Sequence, residues 1–206
     1  VQLEYVGKIA GFVIFSYLLG SIPFGLIIAK LFGGGVDPRK VGSGNIGATN
    51  VARAVGKVGG AITLLLDASK GFVPLLLARS TFTEGYYPVL ALTAAFAFLG
   101  HIFPIYLKFR GGKGVATAFG IVLYLSPVSA IILVVVFAVA LLLTGYVSVG
   151  SLSAAFFFPL LMAFLGPSPY YVGLALFMAF TVFYTHRENI RRLLEGKENR
   201  FLGKKE

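Results

Sequence analysis

Apolar runs of bilayer length fill this chain, and they restrict its fold more than any other feature. Inside hydrocarbon no water pairs with backbone N–H and C=O groups, so a spanning segment has to satisfy them within itself, as a helix does. A crossing needs roughly 20 apolar residues at 1.5 Å of rise each. Residues 9–32 meet that length, residues 61–78 return, and residues 88–109 cross again after a short turn over residues 81–87. From Val115 the chain is apolar almost to Tyr146, more than one bilayer thickness, and Ser126-Pro127 near its middle predicts a split into two helices. Ser148 and Ser151 predict a small polar break, residues 152–165 lead out, Gly166-Pro167-Ser168-Pro169 turns, and residues 170–185 lead back. The expected fold is an all-α polytopic membrane helix bundle of about seven transmembrane helices, a single domain over residues 1–206.

Composition agrees, with 57% hydrophobic and 13% charged residues and a mean hydropathy of +0.88. The absence of cysteine removes disulfides, a thiolate nucleophile and cysteine-ligated metal, and two histidines are too few for an ordinary zinc site. No acidic cluster accompanies the polar segments, so neither a metal nor another cofactor is expected. The net charge of +10 is spread beside apolar spans instead of forming a soluble basic domain, which points to lipid headgroups or phosphorylated substrates and away from nucleic acid.

Lys and Arg set the expected orientation. With the first helix running from outside to inside, Lys30, Arg39, Lys40, Arg53, Lys57, Lys108, Arg110 and the seven basic residues of the tail share the cytoplasmic side, and Lys8 and Arg79 lie opposite. The N-terminus is then external and the C-terminus cytoplasmic. A cleaved signal peptide is the other reading of the first helix, but no small-residue cleavage pattern follows it and its basic flank is one lysine.

Three glycine-rich polar islands interrupt the apolar sequence, all on that one side, and polar sequence at the ends of membrane helices marks function. In the first, GSGNIGATN at residues 42–50, Gly42, Ser43, Gly44 and Gly47 let the backbone turn its N–H groups toward an anion, while Asn45, Thr49, Asn50 and Arg53 add side-chain groups. The string also fits GxGxxG, but no strand precedes it, so a dinucleotide fingerprint lacks its context; a capped helix terminus with nothing bound is the plain alternative. In the second, residues 110–114, Gly111, Gly112 and Gly114 surround Lys113 at the start of an apolar helix, where free N–H groups favour an anion. It is no Walker loop, because Gly114 follows Lys113 where that loop has Ser or Thr. In the third, HRENIRRLLEGKENR at residues 186–200, His186 and Asn189 share a helix face if the helix continues, whereas Arg187, Arg191 and Arg192 suit headgroup anchoring. A structural His186 and a catalytic one both fit its side-chain chemistry. Asp67 and Lys70, three apart inside a span, read as a pair that supports the islands or as part of a proton or ion path, and His101 as a helix-packing residue.

The three islands resemble, in order and spacing, the three cytoplasmic motifs of the bacterial acyl-phosphate:glycerol-3-phosphate acyltransferases, and the resemblance runs from about residue 19 to residue 200. It implies an inner-membrane enzyme with seven membrane helices and its site facing the cytoplasm. The implied reaction moves a fatty acyl group from acyl phosphate to the sn-1 hydroxyl of glycerol 3-phosphate, giving lysophosphatidic acid and phosphate, the first acylation of phospholipid synthesis. Carried over by motif, Ser43, Arg53, Lys113, His186 and Asn189 are the catalytic candidates. Gly42, Gly44, Asn45, Thr49, Asn50, Gly111, Gly112, Gly114 and Ser151 join them as substrate or phosphate contacts. Gly145 departs from the family, which favours a basic residue before Tyr-Val-Ser. The expected partners are glycerol 3-phosphate, a fatty acyl phosphate and membrane lipids, with no required protein partner.

That reaction suits the chemistry of the residues. Two phosphorylated substrates need two anion sites, and an acyl phosphate carries a good leaving group, so attack by the glycerol hydroxyl needs positioning and charge stabilisation more than a protein nucleophile. The proton goes to His186 or to a phosphate oxygen of bound substrate, with a slight preference for the substrate. The rival class is a membrane carrier for a phosphorylated metabolite, which would show interrupted segments recurring in two halves; no such repeat is visible. An acyltransferase of the H-x4-D type is excluded, since Arg191 and Tyr106 stand five positions after the two histidines.

Overall fold

The computed structural model describes residues 2–83 and 85–201, in which every regular element is helical. Glu84, in the expected turn at residues 81–87, and the tail lysines Lys204 and Lys205 lie outside the described residues. The helices are α1 (Gln2–Ser21), α2 (Phe24–Phe32), α3 (Ala48–Val55), α4 (Lys57–Thr81), α5 (Tyr86–Ile102), α6 (Val115–Leu125), α7 (Pro127–Thr144), α8 (Val147–Leu165), α9 (Pro169–Thr185) and α10 (Arg187–Leu194). Among the described residues five stretches are long and apolar enough to cross a membrane: Gln2–Phe32, Lys57–Thr81, Tyr86–Leu107, Pro127–Thr144 and Val147–Leu165. Val115–Leu125 and Pro169–Thr185 are apolar but shorter.

Three boundaries differ from those the sequence predicts. The first apolar run is broken at Ile22-Pro23, because a proline cannot donate to the preceding turn. The third run stops being α-helical at Ile102, two residues before Pro104, and continues as a 3₁₀ turn over Ile105–Leu107. Ser148 and Ser151 lie inside the first turns of α8; the break precedes them at Gly145, whose φ of 79° closes α7 in the left-handed conformation that glycine reaches without penalty. The split at Ser126-Pro127 is where the sequence places it. The Ser126 hydroxyl caps α7 by accepting the Ser129 N–H, and Pro127 fills the first helical position, whose N–H has no partner to lose.

The chain forms two compact units, residues 1–124 and 125–206. In the first, α1 packs on α5 through glycines: a Cβ on Gly20 would overlap the Ala97 carbonyl, and one on Gly100 the Tyr17 carbonyl. Gly71 of α4 and Gly120 of α6 meet the Thr117 and Ala68 carbonyls in the same way. Such contacts suit membrane helices, where lipid is as apolar as leucine and association relies on close backbone packing. Ile28, Ala29 and Val51 join α2 and α3 in a small core that Val55, Ile62 and Leu66 extend to α4. In the second unit α8 packs on both α7 and α9. Its outward residues are apolar and open, Leu143 at 81% and Phe164 at 84% exposure, as expected of surfaces that lipid tails solvate.

Candidate functional site

In the first unit, island one is a loop wound around a single side chain. Asn50, buried in the first turn of α3, donates its amide to the carbonyls of Pro38 (2.7 Å), Val41 (3.0 Å) and Asn45 (2.8 Å), and its Oδ1 accepts the Ser43 N–H at 2.9 Å. Asn45 Oδ1 accepts the Gly47 N–H at 2.8 Å. Gly42 and Gly44, at φ of 56° and 69°, make the reversals that bring these groups inward. Asn50 is therefore the loop's internal scaffold, its amide engaged by four backbone groups. Ser43, Asn45 and Thr49 remain partly exposed on the loop and Arg53 is exposed, its Cδ 3.6 Å from where a Gly42 Cβ would stand. Before the loop, Asp37 accepts hydrogen bonds from the Arg39 guanidinium, which hold its carboxyl down at about 2.

Island two is pressed onto the end of α5. The Gly111 N–H donates to the Ile102 carbonyl at 3.0 Å and the Gly112 N–H to the His101 carbonyl at 3.1 Å. A Cβ on Gly111 would overlap the His101 carbonyl, and one on Gly112 the His101 ring. These two glycines are required by packing, and their N–H groups are engaged by helix carbonyls. Charge at this island comes from Lys113, half-buried, with Lys108 and Arg110 exposed ahead of it. Lys108 and Phe109 hold φ of 52° and 61°, strained for residues with side chains, and such strain gathers at functional loops. Beneath this loop Asp67 pairs with Lys70 at 2.9 Å, both inside α4.

In the second unit, the helix does not run unbroken through island three. His186 ends α9 and starts α10, and its Nδ1 stands 2.8 Å from the Val182 carbonyl. A carbonyl only accepts, so Nδ1 carries hydrogen and, in the neutral ring, Nε2 has the basic lone pair. Asn189 is buried one turn on, and its amide donates to Glu198 Oε1 at 2.5 Å. The same carboxylate accepts from Ser148 at 2.9 Å and from Arg192 Nε at 2.7 Å. Burial raises the Glu198 pKa, but the three hydrogen bonds outweigh it and the carboxyl lies below its ordinary value. The tail is further tied by the Phe201 N–H to the Gly145 carbonyl (2.8 Å), and Arg200 stands 5.6 Å over the Tyr146 ring. Ser151 is buried, its hydroxyl donating to the Val147 carbonyl at 3.0 Å. Sequence reading missed Glu198. Its one local signal is Gly196, whose φ of 68° reverses the chain after α10.

Among the described residues no group of three or more His, Cys, Asp or Glu side chains could hold a metal ion. The polar groups present are suited to binding anions and hydroxyls: flexible cations, amides, and one oriented imidazole.

A family model described as glycerol-3-phosphate acyltransferase matches residues 10–196. Relatives of that description include one from Caulobacter vibrioides, 52% identical over 92% of this chain and 86% of its own length. Another, from Geobacter sulfurreducens, is 49% identical over 90% of this chain and 94% of its own. Among solved structures, the chain resembles PlsY (YgiH), an integral membrane glycerol 3-phosphate acyltransferase in its glycerol 3-phosphate form, with a TM-score of 0.89 and 45% identity over 95% of this chain and 96% of that one. The lysophosphatidic acid form gives a TM-score of 0.86 at 44% identity, covering 94% and 95% of the two chains.

Proposed function

This chain belongs to the glycerol-3-phosphate acyltransferase family of integral membrane proteins, and from that premise we propose that it acylates the sn-1 hydroxyl of glycerol 3-phosphate with a fatty acyl phosphate as donor. The observation that carries the acceptor and the product is the likeness to a structure solved in both glycerol 3-phosphate and lysophosphatidic acid forms. The donor rests on chemistry: no cysteine or activated serine is needed when the leaving group is already phosphate.

In the proposed reaction the glycerol hydroxyl oxygen attacks the acyl carbonyl carbon, the carbon–oxygen bond to phosphate breaks, and inorganic phosphate leaves. The hydroxyl proton passes to a phosphate oxygen. Arg53 and Lys113 hold phosphate oxygens and offset the charge that develops, while Ser43, Asn45, Thr49 and the exposed backbone of Gly42 and Gly44 orient them. Gly114, at a φ of 83° and against the Phe98 ring, turns the chain directly after Lys113, and Ser151 assists by contact with phosphate. His186 and Asn189 orient glycerol 3-phosphate. Support for that role of Asn189 comes from its engagement with the Glu198 carboxylate, which fixes the amide before any substrate arrives. The whole chain is read as one acyltransferase domain of a bacterial inner membrane, with the N-terminus outside, seven crossings and the islands cytoplasmic; the distribution of Lys and Arg supports that orientation. No protein partner is required by this chemistry.

Purified protein incubated with radiolabelled glycerol 3-phosphate and either palmitoyl phosphate or palmitoyl coenzyme A tests the donor. Lysophosphatidic acid is expected from the acyl phosphate alone. Product from the thioester would overturn the donor assignment, and product from neither, in folded protein, would overturn the activity.

A further inference from the structure

Asp67, Lys70 and His101 take no part in the reaction above, yet all three are buried in apolar helices, between 2 and 4% exposed. Ionisable groups in such surroundings are costly, and they mark function more often than packing. Both arms of this cluster end on particular backbone groups. Lys70 Nζ, beside Asp67 Oδ1, donates to the Ile22 carbonyl at 3.0 Å, the point where α1 gives way to α2. On the other side His101 Nδ1 stands 3.7 Å from the same carboxylate oxygen. The far edge of that ring lies flush on Gly112: an added Cβ there would overlap Nε2 and stand 3.0 Å from Cε1 and 3.1 Å from Cδ2. The His101 carbonyl also accepts the Gly112 N–H, and Lys113 is the next residue.

We propose that the Asp67–Lys70–His101 cluster is a positioning device for the Lys113 loop. The carboxylate, anchored through Lys70 to the break between α1 and α2, sets the His101 ring, and the ring sets Gly112. The ring is packed between the Asp67 carboxylate on one side and Gly112 on the other, which leaves it little room to turn away from the loop. The three residues act through Lys113 and do not touch substrate. The inference rests on the reading that Lys113 binds a phosphate of glycerol 3-phosphate.

A suppression experiment tests it. Gly112 is not among the glycines with positive φ, so its backbone accepts alanine and any harm comes from the His101 ring. Wild type, Gly112→Ala, His101→Ala and the double variant are compared for glycerol 3-phosphate turnover, for binding of the labelled substrate by equilibrium dialysis, and for thermal midpoint. Gly112→Ala alone is expected to weaken glycerol 3-phosphate binding and raise KM about tenfold, the scale on which small misplacements act. Once the ring is gone the same substitution is expected to change Kd and KM by less than about twofold, since coupling is confined to groups in contact. Equal harm in both backgrounds, or a harmless Gly112→Ala in wild type, would overturn the proposal.

The carboxylate arm is read separately. Asp67→Asn with Lys70→Met removes both charges at once and leaves neither unpaired. KM for glycerol 3-phosphate is expected to rise at least fivefold with kcat within about threefold of wild type. Loss of kcat at unchanged KM would assign the cluster to proton movement instead, and wild-type parameters would leave it without a positioning role. Wild-type protein that binds labelled glycerol 3-phosphate but makes no product would refute the functional reading alone; the binding comparison of the Gly112 and His101 variants would still decide the positioning role.

Discussion

Lys113 and His186 carry opposite expectations, because in the proposed reaction Lys113 supplies fixed charge, whereas His186 orients the acceptor and the substrate takes the proton. Lys113→Ala removes the cation proposed to offset developing charge, and a loss of about 10²-fold or more in kcat/KM is expected, in line with the removal of one stabilising donor elsewhere. His186→Ala is expected to leave turnover measurable above background if substrate phosphate takes the proton. A folded His186→Ala protein that binds glycerol 3-phosphate and makes no product would assign the base to the histidine. Steady-state assays with labelled glycerol 3-phosphate, run beside a binding measurement, separate these results. Asn50 looks identical to Ser43 and Asn45 in the motif, three polar residues in a glycine string. Its scaffold role depends on accepting and donating at once to four backbone groups, and nothing in residue type or spacing reveals which amide of the string turns inward.

At the scale of elements, two contacts make opposite demands on the chain. Gly120 has to be small, since its Cβ would overlap the Ala68 carbonyl, and Gly120→Val is expected to destabilise the protein by about 1–3 kcal/mol through overpacking, seen as a lower thermal midpoint in detergent. Glu198 has to be charged. Its pKa in the folded protein lies below the ordinary glutamate value, so its contribution is fully present above that ordinary value and is lost as pH falls through the folded one. Glu198→Gln is therefore expected to lower the thermal midpoint between pH 6 and 8, by the equivalent of about 1–3 kcal/mol for hydrogen bonds to a charged group. That difference from wild type should shrink as pH falls below the ordinary glutamate range and disappear only once pH has passed below the depressed folded value. Helix limits were legible wherever a local device sets them, as at Ser126-Pro127. They were misread at Gly145, because serines look like a break when read as composition and like an ordinary first turn when the glycine ahead of them has already ended the helix.

At the scale of the molecule, the proposed orientation has a direct test that the chain's own composition makes clean. With no native cysteine, a single introduced one is the only thiol. Arg39→Cys is expected to react with a membrane-impermeant maleimide only from the cytoplasmic side of oriented vesicles, and Thr83→Cys only from the other. Reversal of the two patterns would invert the topology. The distribution of Lys and Arg makes this expectation readable without a structure, since the rule depends on counting cations near spans and not on where they point.

Membrane residence, helical class and the three polar islands follow from the linear chain, because bilayer thickness, helix rise and the solvation of charge act on any apolar segment of sufficient length, whatever it later touches. Folding in three dimensions assigned the work within those islands. It turned Asn50 into a scaffold, engaged the N–H groups of Gly111 and Gly112 with α5, and brought Glu198 to a serine 50 positions earlier. It also ran Lys70 to a carbonyl 48 residues away. Such pairings depend on how the chain returns on itself, so they become visible only when the helices are packed, and they determine which polar group is left to meet a substrate and which is spent holding the loop that presents it.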